Sequence, residues 1–119
     1  MFYNKKYFMN LTQDILKQLP FAVTVCDAEG IIIYMNDKSI QTFTKTESLI
    51  GKSLFDCHNP QSAQKIKSLL ATGETNSYTI EKNGQKKLIY QSPWYKDDEI
   101  AGLAEISLLI PDEMPHFIR

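Results

Sequence analysis

The stretch Leu19-Pro20-Phe21-Ala22-Val23-Thr24-Val25-Cys26-Asp27-Ala28-Glu29-Gly30-Ile31-Ile32-Ile33-Tyr34-Met35-Asn36 decides the fold. Pro20 lacks an amide hydrogen and stops a helix arriving from the N-terminal side. Residues 21–26 then carry Val23, Thr24 and Val25 in a row, and β-branched side chains suit a pleated strand. Asp27-Ala28-Glu29-Gly30 is a turn that ends on glycine, where a positive φ costs little. Residues 31–35 form a second strand. It is apolar without alternation, which predicts cover on both faces. Two strands joined so closely make an antiparallel hairpin. Asn36 and Asp37 follow, with the side-chain oxygens needed to cap a helix over residues 38–43.

Upstream, Leu11, Ile15, Leu16 and Leu19 fall on one stripe of a helix, with Asn10 or Thr12 as its cap. Phe2, Tyr3, Tyr7, Phe8 and Met9 enlarge that apolar surface. So short a helix cannot hold itself together in water, so it must lie on the domain or on another copy. Downstream, residues 48–71 read as helical pieces. Leu49, Ile50, Leu54 and Phe55 contribute core contacts. A longer helix over 61–71 starts after Pro60, carries Ala63, Ile66, Leu69 and Leu70 on one face, and stops at Gly73. The remainder is β: residues 75–81, the hairpin signal Asn83-Gly84, residues 85–94 with an irregularity at Pro93, a charged turn over 96–99, and a last strand over 100–110 containing Gly102. This order predicts an α+β fold: a five-stranded antiparallel sheet with short helices on one face and an N-terminal amphipathic helix. Residues 1–19 are the helix, a dimer or partner contact; residues 20–110 are the domain; residues 111–119 are a tail.

Composition narrows the function. A chain of 119 residues, 43% apolar, supports one packed domain. Lys+Arg 13 against Asp+Glu 14 leaves a net charge of -1, without the basic surplus of a nucleic-acid binder. Cys26 and Cys57 make neither a disulfide framework nor a zinc site. No apolar run approaches the ~20 residues of a membrane span, and the charged N-terminus lacks a signal-peptide core. The expectation is a cytoplasmic chain.

The order of elements resembles the PAS fold. The opening stretch has the family's apolar strand, Asp-x-x-Gly turn, second apolar strand and Asn36. Leu49-Ile50-Gly51-Lys52-Ser53-Leu54-Phe55-Asp56 is similar to the family's Ile-Gly-Lys segment before its longer helix. The resemblance runs from about Leu11 to Ile110. It implies a non-catalytic sensory and signal-transduction module of bacterial type. Such a module has a core pocket for haem, flavin, an organic acid or nothing, and often dimerises through its N-terminal helix and outer sheet face. It also implies an output domain, for which no residues remain here; the chain acts on a signalling partner in trans or is a piece of a longer protein.

On this reading Val23, Val25, Ile33, Leu88 and Tyr90 from the sheet, with Leu54, Phe55, Ile66 and Leu70 from the helices, line a ligand pocket. Leu11, Ile15 and Leu19 form a dimer interface, and Asn36 is a structural cap. A ligand-free dimerisation module is the alternative. Cys57-His58 is the most reactive pair. His58 is a candidate haem ligand, against the ordinary reading of a polar loop residue. Cys57 is a candidate redox thiol, but Asp56-Cys57-His58-Asn59 lacks the Asn-Cys-Arg-Phe motif of flavin light sensors, so no photoactive flavin is expected. No third catalytic member or oxyanion loop accompanies the pair, so no enzyme is expected. Asp27, Glu29 and Asp37 are turn and cap residues, and Lys82, Lys86 and Lys87 are edge charges. Tyr78, Tyr90, Trp94 and Tyr95 either line a small-molecule pocket or cover the outer sheet face.

Overall fold

The computed structural model describes residues 5–43 and 48–119, with side chains from Leu11 onward. Phe2 and Tyr3, and the side chains of Tyr7, Phe8 and Met9, lie outside the described residues. The elements are α1 (Lys5–Gln18), β1 (Ala22–Asp27), β2 (Ile32–Met35), α2 (Asp37–Phe43), α3 (Leu54–Cys57), α4 (Pro60–Thr72), β3 (Asn76–Lys82), β4 (Gln85–Lys96) and β5 (Glu99–Leu109). One antiparallel sheet runs in the order β2-β1-β5-β4-β3. The chain is thus α+β with a five-stranded sheet.

Local chemistry explains each boundary. In the β1–β2 turn, Asp27 Oδ1 accepts from the amides of Glu29 (2.9 Å) and Ile31 (3.0 Å). Gly30 sits there at φ +83°, and a Cβ would meet the Phe55 ring at 2.6 Å, so both conformation and space demand glycine. Asn36 is fully buried. Its Oδ1 accepts from Ser39 N at 3.0 Å, capping α2, and from Val23 N at 2.9 Å. Its Nδ2 donates to the carbonyls of Leu16 (3.0 Å) and Phe21 (2.9 Å). One amide therefore ties the end of α1 to the start of the sheet and to α2. Asn59 Oδ1 caps α4 by accepting from Ser62 N at 2.8 Å, and Pro60 opens that helix.

Three expectations need correction. The first helix runs unbroken from Lys5, so neither Asn10 nor Thr12 is its cap. β2 is not covered on both faces. It is a sheet edge, and a bulge opposite Val25/Cys26 leaves Ile33 44% exposed. Ile50 is exposed, whereas Leu49 packs on the core. Pro93 finds a tolerant place in β4. The β3 partner strand ends at the Asn76↔Gln91 pair, so the missing amide faces an open edge.

The core comprises Cys26, Ile32, Met35 and Leu103 from the sheet, with Leu54, Ile66 and Leu69 from α3 and α4. Ile40, Leu49, Phe55 and Leu70 pack around it. The tail beyond Leu109 exposes Met114, Phe117 and Ile118.

Candidate functional site

Strand register assigns side chains to faces, because neighbours across a ladder share a face and successive residues alternate. Thr24 is opposite Met35 and Glu105; Cys26 is opposite Ile32 and Leu103. Glu105 is in turn opposite Gln91, and Gln91 opposite Asn76. These residues face the helices. The inner face so defined has two parts.

The apolar part is sealed. Ile32, Ile66, Leu69 and Leu103 are each almost completely buried. Burial pushes the Cys26 thiol up from its ordinary value, with the Asp27 and Glu105 charges acting in the same direction. A cleft remains where Thr24, Ile32, Met35, Phe43, Leu49 and Leu54 meet Cys57 and His58, but it leaves only about 10 Å³ free, room for one water. His58 Nδ1 lies 2.8 Å from the Leu54 carbonyl. A carbonyl oxygen only accepts, so the Nδ1 proton donates. Cys57 is exposed at the rim. Haem does not fit the cleft beside His58. Among the described residues no cluster of three or more His, Cys, Asp or Glu could hold a metal ion.

The polar part is open, and sequence reading missed it. Gln91 Nε2 donates to Glu105 Oε2 at 2.8 Å, and Asn76 Nδ2 donates to Gln91 Oε1 at 2.9 Å. Gln91 is only 3% exposed. Nearby, Thr24 and Ser39 share a buried hydroxyl–hydroxyl bond. The ladder ends in a groove of about 260 Å³ between α4 and β3, lined by Gln61, Ser62, Lys65, Asn76, Tyr78 and Gln91. Burial, and then the Glu105 charge, push the Tyr78 phenol up, so it stays a donor at neutral pH.

The pocket residues expected from sequence divide accordingly. Leu54 lines the narrow cleft, Ile66 is inside the core, and Phe55 and Leu70 pack beside it. Phe55 also carries Lys67 Nζ 5.0 Å over its ring. Ile33 is at the exposed edge. Val23, Val25, Leu88 and Tyr90 are on the opposite face of the sheet. Their register partners are Ile106 for Val23 and Tyr90, Ala104 for Val25 and Leu108 for Leu88. The structure does not bring these four to the helix side; period-two alternation that buries Thr24, Cys26 and Gln91 inward turns them outward.

That outer face is apolar along β1, β5 and β4. Trp94 also lies on it, with its indole nitrogen donating to the Cys26 carbonyl at 3.0 Å across Gly102. A Cβ on Gly102 would collide with both groups. Tyr78 alone of the four late aromatics lines the polar groove. Tyr95, past the Trp94/Tyr95 bulge, reaches towards Gly73 at the end of α4. Of the expected dimer residues, Ile15 is 52% exposed and Leu11 is also exposed, while Leu19 is half-buried. Among the described residues no helix is long and apolar enough to cross a membrane.

A family model described as "PAS fold" matches residues 16–77, just over half of the chain. No curated protein sequence matches. The chain is similar in structure to the Vibrio cholerae VqmA dimer, a LuxR-type receptor solved in the absence of target DNA. That match has TM-score 0.70 and 17% identity, covering 87% of this chain and 52% of that one. It is similar to VqmA bound to DPO, with TM-score 0.68 and 16% identity, covering 85% and 57% respectively. It is also similar to the PAS domain of Bordetella pertussis BvgS, with TM-score 0.63 and 18% identity, covering 89% and 88%. The chain thus spans little more than half of the VqmA chains and nearly all of the isolated PAS domain. Family match, strand order and fold agree: the chain belongs to the PAS-fold family.

Proposed function

We propose that this module senses a small polar molecule in the groove between α4 and β3 and passes the change to a partner protein or output domain without catalysing a reaction. The observation that carries this reading is the Glu105–Gln91–Asn76 ladder, which opens into that groove beside an otherwise apolar core. Buried polar groups add little to stability even when satisfied, so a ladder of them aimed at a cavity is better accounted for by recognition. A likeness to VqmA, solved bound to DPO, fits a ligand-responsive role. The test is a thermal-shift screen of the full chain against small polar metabolites. A ligand present at 100 times its dissociation constant stabilises the fold by about 2.7 kcal/mol, which raises Tm by several degrees. A panel that leaves Tm and the groove amides unchanged contradicts the reading.

A second reading concerns assembly. The α1 stripe exposes Leu11, Ile15 and Leu16. The domain core closes without them. Such a surface suits a second copy of the chain, giving a homodimer that relays signals through α1. Light scattering of the full chain is expected to report a dimer, and Ile15→Glu a monomer. A wild-type monomer at micromolar concentration contradicts this reading.

A further inference from the structure

The hydrogen-bond directions along the ladder name a ligand class; this deepens the ligand-sensing reading above and rests on it. As a carboxylate, Glu105 only accepts hydrogen bonds. Gln91 must therefore turn its NH₂ group towards Glu105, which leaves Oε1 facing Asn76. Asn76 must then turn its own NH₂ group towards Gln91. The polarity of the chain of bonds is fixed from its charged end, and Asn76 Oδ1 is left as an acceptor with no described donor, on a residue that lines the groove. Glu105 stands behind it. Among the described residues the one ion pair joins Lys17 to Asp37 on another face, so Glu105 meets no cation and Lys65 no carboxylate. The groove thus has a negative, accepting wall on the sheet and a single ammonium group on α4, and Tyr78 also lines it.

We infer that the groove binds a small α-amino acid, with its ammonium group on Asn76 Oδ1 and its carboxylate on Lys65. An ammonium donor suits the sheet wall better than a hydroxyl because the Glu105 charge is unneutralised and lies two hydrogen-bonded side-chain amides away, those of Asn76 and Gln91. The carboxylate suits Lys65 as a charged acceptor, and Tyr78 can donate to it. At a water's share of roughly 30 Å³, a groove of about 260 Å³ has room for about nine non-hydrogen atoms. That is the size of an amino acid with a short or medium side chain.

Isothermal titration of the full chain with each of the twenty common L-amino acids tests this. The best binder is then compared with its carboxamide, which lacks the anionic group, and with its deaminated acid, which lacks the ammonium. Each change is expected to weaken binding about tenfold or more, since each deletes a charge-assisted bond. Lys65 is exposed on its helix, so Lys65→Gln folds normally. It is expected to weaken the amino acid about tenfold and leave its carboxamide unaffected. The inference is overturned if no amino acid binds, if the two derivatives bind as tightly as the parent, or if Lys65→Gln changes nothing. A different small molecule that shifts the groove amides while no amino acid does would overturn the ligand class and leave the sensing reading standing. No binding by any small molecule would remove both.

Discussion

The two parts of the inner sheet face share strand β5 and differ in chemistry. Near β1 and β2 the face presents Cys26, Ile32, Met35 and Leu103 to Leu54, Ile66 and Leu69, with free space for one water. Further along β5 and across β4 and β3, Glu105, Gln91 and Asn76 replace those apolar side chains, and a groove opens beside α4. The first part supplies the hydrophobic stabilisation that a 119-residue domain needs. The second exposes polar groups already oriented by their own hydrogen bonds. Fold and recognition are therefore separable by mutation.

The largest effect is expected in the sealed part. Ile66→Ala opens a cavity where there is no slack and costs about 2–5 kcal/mol, measured by urea unfolding. A smaller loss follows in the polar part from Gln91→Ala, which strips Glu105 of its donor, at about 1–3 kcal/mol. Replacing both ends of that bond, as Gln91→Leu with Glu105→Leu, is expected to be nearly neutral or stabilising while abolishing ligand response. If the paired apolar variant instead loses as much stability as Ile66→Ala, the division between the two parts is wrong.

The smallest effect sharpens the same contrast through pH. The Cys26 thiol is raised above 9.0 by burial in the sealed part. An acid with a raised folded value stays protonated in the native state after the unfolded chain has lost its proton. The unfolded state then binds fewer protons, so stability falls as pH rises above about 9. Tyr78, raised above 10.0 by burial and Glu105, adds to the fall at higher pH. Cys26→Ala is expected to delay the alkaline loss relative to wild type in pH-dependent denaturation. An identical alkaline profile would show that the thiol is not shielded.

The legible parts of the sequence were those where one residue type has one physical use. Asp27-x-x-Gly30, Asn83-Gly84, Pro60 and Gly73 each punctuate an element at the expected place. The strands could be located but their faces could not. In β4, Leu88 and Tyr90 are as apolar as Ile89, because the outer sheet face is itself apolar. Alternation therefore offered two equal parities, and Leu88 and Tyr90 represented the wrong one for a helix-side pocket. A signal for the right one exists: Gln91 and Glu105 are polar residues beside apolar neighbours in β4 and β5, although Asn76 sits in a largely polar β3. Recognising them as neighbours requires strand register, which no local pattern encodes. Cys57 and His58 drew notice through reactivity, yet their cleft is the closed one.

The central claim is that recognition occurs in the open polar part. An amide chemical-shift map of the ¹⁵N-labelled full chain, recorded with a saturating mixture of the twenty common L-amino acids, tests it most directly. The account predicts shifts concentrated on Gln61–Lys65, Asn76–Tyr78 and Gln91, with Leu54–His58 undisturbed. Shifts centred on Cys57 and His58, or spread over the outer face at Val25, Leu88 and Tyr90, would contradict it.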